Sequence, residues 1–443
     1  MTNRDYFKGK RIAVIGIGPH GEMISDIKFL IKMGAFVSVY DMRSESRLKS
    51  EISFLREAGL ASYVCGSVPA DDLLDMDLII LSHEYPRTSS FLIPATKANI
   101  PIEYPESLFF RMAPPITVIG VMGSCGKSTV LSMLEPMLET VVEEGEQGLC
   151  VIDPDTAGGI IAHLKKIKSG DVVLARIIEP MMKELHALRI SPHVAVFTTV
   201  PPKGSYDKSP FEIVTYQTYN NFIVASDEVI DATHAMGFQP KAKMLRTKAS
   251  ILPELWEFSG RGAHDRDNAS LAIQVAKLFK VSDEVIQGVI ESWKPLRGRI
   301  ELVKKVRQVE FYNDTASVTP YSTQVALKEL GKNLVLIYGG IDNGNDHKTV
   351  YAMLPQHVKT LILLPGSGTM KERKTLSDMG GVEAGQTFEV CAVASIEEAV
   401  TRAMEKSVKG GRVLFSPGFG AGGLDQSRKE RGEKFVRAVR GLK

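Results

Sequence analysis

The sequence predicts an α/β protein of three consecutive domains: a Rossmann-like N-terminal domain, a P-loop central domain and a second Rossmann-like domain at the C-terminus. Three observations lead there. Strand-length apolar runs alternate with helical periodicity along the chain, as in parallel sheets covered by helices. A glycine loop joins a buried strand to Lys127-Ser-Thr129, the order of a phosphate loop. Two Pro/Gly-bearing connectors, Met112-Ala-Pro-Pro115 and Pro295-Leu-Arg-Gly298, interrupt the alternation. They place the domains at 1–107, 108–297 and 298–443.

In the first domain Arg11-Ile-Ala-Val-Ile-Gly16 reads as a strand. Met23 to Met33 reads as a helix, because Ile24, Ile27, Leu30 and Ile31 fall on one face. Phe36–Tyr40 is the next strand and ends at Asp41; helix and strand patterns follow at 47–59 and 77–82, then a connector from 102. Gly16-Ile-Gly18-Pro-His-Gly21 has the G-x-G-x-x-G spacing of a dinucleotide fold, and Asp41 stands where a ribose-binding acid would. This motif suits a nicotinamide cofactor, a nucleotide sugar, or a tight turn with no ligand.

The central domain opens with Ile116-Thr-Val-Ile-Gly120-Val-Met-Gly123-Ser-Cys-Gly126-Lys127-Ser128-Thr129. Such a loop turns backbone N–H groups inward, and the helix that follows adds partial positive charge at its N-terminus. Gly123, Ser124, Cys125, Gly126, Lys127, Ser128 and Thr129 are therefore the expected phosphate cradle, with Lys127 reaching the outer phosphates of a nucleoside triphosphate and Ser128 holding Mg²⁺. Val121 occupies the first glycine position of the strict pattern. Pro136 should kink the helix. Strands are expected at 149–152, 172–178, 193–199 and 221–225, a polar loop at 200–210, and helices at 265–280 and 283–292. The third domain alternates again, with strands at 308–312, 333–338, 359–364, 388–392 and 412–415 and a last helix from about Gln426.

Composition narrows the function classes. The 443 residues carry a net charge of +2 with no long basic run, which argues against nucleic-acid or membrane-surface binding. Cys65, Cys125, Cys150 and Cys391 are scattered, without metal spacing, and suit a reducing cytoplasm. The N-terminus lacks the apolar core of a signal peptide, and no run approaches the ~20 apolar residues of a membrane span.

Taken together the motifs resemble the Mur ligase family, over nearly the whole length. Ser82-His-Glu-Tyr-Pro86 is similar to the family's Ser-Pro-Gly-Ile-Pro, and the phosphate loop to its Gly-Ser-Asn-Gly-Lys-Ser-Thr, with Cys125 for Asn. Gly158-Gly-Ile160, His264-Asp-Arg-Asp-Asn268, Gly298-Arg299-Ile-Glu301, Asn313-Asp314, Gly339–Asp346, Ser416-Pro417 and Glu430-Arg-Gly432 match further family blocks. The resemblance implies an ADP-forming ligase with ATP and Mg²⁺. It would add an amino acid, D-glutamate by the nearest likeness, to a UDP-linked muramoyl-alanine in peptidoglycan synthesis. It implies a cytoplasmic monomer, ATP contacts from Asn268, Arg299 and Asp314, UDP contacts from Gly16, Gly18, Gly21, Asp41 and Ser82, and amino-acid contacts from Asn343 and Ser416.

The family's metal ligands are replaced. Its strand-end Glu aligns with Ala175, its loop His is lost from Pro201-Pro-Lys203-Gly-Ser-Tyr-Asp207, and its carbamylated Lys has no counterpart in 211–221. The expectation is a one-metal site on Ser128 with slow or absent turnover, Lys203 either supplying catalytic positive charge beside Lys127 or standing as a solvated loop residue. Two other readings stand beside this one: a ligase-fold protein that binds ATP and a nucleotide sugar without amide synthesis, and a dehydrogenase built on the first glycine turn.

Overall fold

A computed structural model describes residues 3–18, 21–145, 147–154, 158–199, 210–235, 239–260, 262–379, 388–421 and 427–443. The chain divides into two compact units, Met1–Glu257 with Arg266–Ser292, and Phe258–Asp265 with Trp293–Lys443.

The first unit holds two wholly parallel sheets. One has Arg11–Ile15 at its centre, flanked by Phe36–Asp41 and then Ser62–Cys65 on one side, and by Leu78–Leu81 and then Ile102–Glu103 on the other. The second runs Lys243–Thr247, Phe222–Ser226, Val194–Phe197, Thr117–Met122, Val172–Arg176, Leu149–Ile152. Central strands of such sheets are covered on both faces and so are apolar throughout; Ile12 to Ile15 and Leu78 to Leu81 are fully buried. The helix Ile24–Lys32 buries Ile27 and Leu30, as its periodicity predicts.

Three hydrogen-bonded contacts tie the two sheet regions together. Asp26, on the helix Ile24–Lys32, accepts from the backbone N–H of Ile160 (3.0 Å) and of Ala162 (2.8 Å). Asn3 donates to the Leu164 carbonyl at 3.0 Å, and Arg87 pairs with Glu184 at 2.6 Å. Asp26 is buried, and that burial pushes its carboxyl up to about 7.

The second unit has one six-stranded sheet, ordered Glu301–Val306, Val309–Asn313, Arg412–Phe415, Leu334–Tyr338, Val358–Leu363, Glu389–Ala392. All neighbours are parallel except the first two, which form a hairpin. Its two turn residues, Arg307 and Gln308, have φ of 48° and 66°, the left-handed pair of a type I′ turn. The sequence lacks the Asn-Gly that normally signals that turn, which is why the strand before it was not expected.

Other differences have similar causes. The stretch read as a connector contains the helix Pro105–Met112, since proline is well suited to the first helical position. The helix Glu179–Ala187 likewise starts just ahead of a proline. The helix after the phosphate loop runs from Lys127 to Glu144 with Pro136 inside it. Among the described residues no helix is long and apolar enough to cross a membrane.

Candidate functional site

In the first unit the strand Thr117–Met122 delivers the chain to the phosphate loop, and a helix begins at Lys127. Gly123 and Gly126 have φ of 133° and 85°. A side chain at Gly126 would collide with Asn268 Oδ1, and one at Gly123 with Thr198 and Thr199. These are close approaches that only glycine permits. Thr199 Oγ1 accepts from Ser124 N at 2.9 Å, while the Thr198 hydroxyl donates to the carbonyls of Met122 and Cys125. These two threonines, at the end of the neighbouring strand, brace the loop. Sequence reading missed them, because their role depends on which strand lies beside the loop. Lys127 is half-buried and donates from Nζ to Gly123 O at 2.5 Å, across the mouth of the loop. Asn268, expected to contact ATP, is buried with its side chain beside Gly126 of the loop.

The donor set fits a nucleotide-borne magnesium ion. Mg²⁺ keeps several waters and binds through phosphates with few protein ligands, which a single hydroxyl such as Ser128 can complement. A second ion held by protein alone finds no such set, since among the described residues no three His, Cys, Asp or Glu side chains converge. Ala175 is buried in its strand. The next residue, Arg176, is also buried and pairs with Asp153 at 2.5 Å, so the strand end carries a matched ion pair. Glu179, which could have stood in for the lost Glu, pairs instead with Lys183 at 3.1 Å. Lys203 lies outside the described residues.

The first glycine turn has φ of 82°, 83° and 76° at Gly16, Gly18 and Gly21. The space above it is occupied by the chain itself. Ser82 and Tyr85 lie over Gly16, and the Glu22 carboxylate lies over Gly18. Asp41 is buried and fully engaged: Oδ2 accepts from Ile17 N at 3.1 Å and from Arg43 Nη2 at 2.6 Å, and Oδ1 from Arg43 N and Nε at 2.9 Å. Hydrogen bonds from Arg43 hold its carboxyl below the usual range against the opposing effect of burial. Asp41 thus buttresses the turn and anchors Arg43. Ser82 is buried against Glu84.

Beside the turn is a cavity of about 250 Å³ whose lining includes Gly18, Glu22, Asp26, Ser82, His83 and Glu106. Glu106 is fully buried. Its Oε1 meets His83 Nε2 at 2.6 Å, and the His83 ring stacks on Tyr104.

In the second unit the expected residues gather where adjacent strands end, the usual ligand edge of a parallel sheet. Asp314 follows Val309–Asn313, Gly339 to Asn343 follow Leu334–Tyr338, and Ser416 follows Arg412–Phe415. Asp314 is buried, accepts from Ile300 N at 3.2 Å, and is pushed by burial up to about 6. Ser416 is buried and donates to Thr323 at 3.0 Å. Asn343 is exposed, with its amide on the Val318 carbonyl at 2.5 Å. Arg431 holds the edge together: its guanidinium donates to the carbonyls of Thr315, Phe419 and Gly420. Arg299 is half-buried in this same unit.

Residues 298–419 match the family described as Mur ligase, glutamate ligase domain. Over the whole length the chain is 28% identical to a UDP-N-acetylmuramoylalanine–D-glutamate ligase of Bdellovibrio bacteriovorus, with 98% of each chain covered. It is 24% identical to the enzyme of that name from Clostridioides difficile, covering 98% of this chain and 99% of the relative. In fold it is similar to a murein peptide ligase of Psychrobacter arcticus, with a TM-score of 0.60 at 13% identity over 98% of this chain and 100% of that one. The likeness read from scattered motifs is therefore continuous from one end of the sequence to the other.

Proposed function

We propose that this chain, a Mur ligase by a likeness spanning its full length, is an ATP-dependent ligase that joins an amino acid to UDP-N-acetylmuramoylalanine. D-Glutamate is the amino acid named for its relatives. The observation that carries the nucleotide half of the reading is the braced glycine loop with Lys127 across its mouth. The acceptor carboxylate takes the terminal phosphoryl group of ATP, releasing ADP, and the amino-acid amine then attacks the acyl phosphate, forming the amide as phosphate and a proton leave. Lys127 leaves the Gly123 carbonyl for the phosphates, the loop N–H groups and the helix N-terminus stabilise the negative charge, and Ser128 is the residue that would hold a magnesium ion, which would neutralise phosphate charge. Thr198 and Thr199 keep the loop in its receptive shape.

The test is phosphate release by the full chain given ATP, Mg²⁺, UDP-N-acetylmuramoylalanine and a panel of amino acids. Release requiring both acceptor and D-glutamate is the expected result; ATP turnover indifferent to the acceptor overturns the proposal. A second reading, a binding protein without amide synthesis, is favoured by the Arg176–Asp153 pair at the strand end where the family resemblance implies a metal-binding Glu. Tight ATP binding with no release from any combination would select it.

A further inference from the structure

The cavity beside the first glycine turn has the wrong charge for a bare diphosphate. Glu22, Asp26, Glu84 and Glu106 line it, and among its described lining residues His83 is the one basic side chain. His83 is already engaged with Glu106 Oε1. The position above Gly18, where a turn of this kind offers its N–H groups to an anion, is covered by the Glu22 carboxylate. Arg43 lies at the edge of the turn, donating to Gly18 O at 3.1 Å, but its charge is matched by Asp41. A second, independent feature points to a cation. Glu106 is fully buried, lines the cavity, and its Oε2 has no hydrogen-bond partner. A buried carboxylate oxygen without a donor costs free energy that a ligand can recover.

We propose that this cavity is a divalent-cation site completed by the acceptor: Mg²⁺ bridges the acceptor's diphosphate to Glu106. The inference rests on the reading that the acceptor is a uridine diphosphate derivative. No three side chains of the described residues converge to hold a metal unaided. That is the behaviour expected of Mg²⁺, which takes one or two carboxylates plus phosphate oxygens and water. The ion would lift the repulsion between the two phosphates and the carboxylates of Glu22, Glu84 and Glu106, and would satisfy Glu106 Oε2. This ion is distinct in place and role from the one carried by ATP, since it serves acceptor binding.

The experiment is calorimetric titration of UDP into the full chain without ATP, with Mg²⁺ or with EDTA. A Lys127→Ala background keeps the phosphate loop from contributing. Mg²⁺ should tighten UDP binding at least tenfold. Glu106→Gln should cut that advantage to about threefold or less. Glu84→Gln, at an exposed position that does not threaten folding, should tighten UDP binding in EDTA and so shrink the advantage from the other side. Equal affinity in Mg²⁺ and EDTA overturns the metal site while leaving the uridine reading intact. No UDP binding in either condition overturns both.

Discussion

At the scale of single residues, two side chains make opposite use of charge. Lys127 is poised for a ligand, and hydrogen bonds to charged groups contribute about 2 kcal/mol or more. Lys127→Ala should therefore weaken ATP by that amount in calorimetry, and an unchanged affinity would remove the phosphate loop from the account. Asp26 is poised for structure. With its folded carboxyl near 7 against an ordinary 3.8, the folded chain holds a proton between those values that the unfolded chain has lost. Its contribution to stability is therefore largest below about pH 4 and declines as pH rises to about 7. Asp26→Asn removes that titration. In urea melts the variant should gain on the wild type across this window, by on the order of 4 kcal/mol at most. Parallel pH curves would show that the burial is relieved in solution.

At the scale of elements, the hairpin Glu301–Asn313 carries a local cost. Two non-glycine residues in left-handed conformation are each disfavoured by roughly 1 kcal/mol. Replacing Arg307 and Gln308 by Asn and Gly should raise stability by about 1 kcal/mol, after allowing for the greater unfolded-state freedom of glycine. A lower melting temperature would mean that the arginine or glutamine side chain makes a stabilising contact there. The same hairpin shows where sequence reading stopped. Strands central to a parallel sheet were legible because burial on both faces writes a continuous apolar run, as in Arg11–Ile15 and Leu334–Tyr338. Edge strands such as Ser62–Cys65 and Lys243–Thr247 are half wet and write no such run. The phosphate loop was legible because its backbone demands glycines at fixed spacing. Thr198, Thr199, Asp26 and Glu106 were not, because each acts on a segment remote in sequence. Asp41 was expected as a ribose contact; in the structure its carboxylate accepts from Ile17 N and from Arg43, two residues on, a pairing its place at a strand end does not announce.

At the scale of the molecule, the phosphate loop and Asn268 belong to the first compact unit, and Arg299 and Asp314 to the second. Amide exchange measured with and without ATP should slow at 123–130 and again near 299–301. Protection confined to the first stretch would take Arg299 and Asp314 out of the nucleotide site. Turnover should also be indifferent to bicarbonate, since no lysine in 211–221 can be carbamylated to hold a second ion. Strong stimulation by bicarbonate would place that lysine elsewhere. One buried contact has a consequence for heredity as well as for folding. Because Asp26 holds the backbone of Ile160 and Ala162, the first two sheets are not interchangeable modules. A chimaera that takes residues 1–112 from a distant relative would carry its own residue at position 26 against this chain's turn at 160–162. Unless the donor brings an acceptor of matching reach, one buried and one part-buried N–H group go unanswered. Recombination that joins halves of two such proteins should thus survive most readily when the crossover falls beyond residue 162.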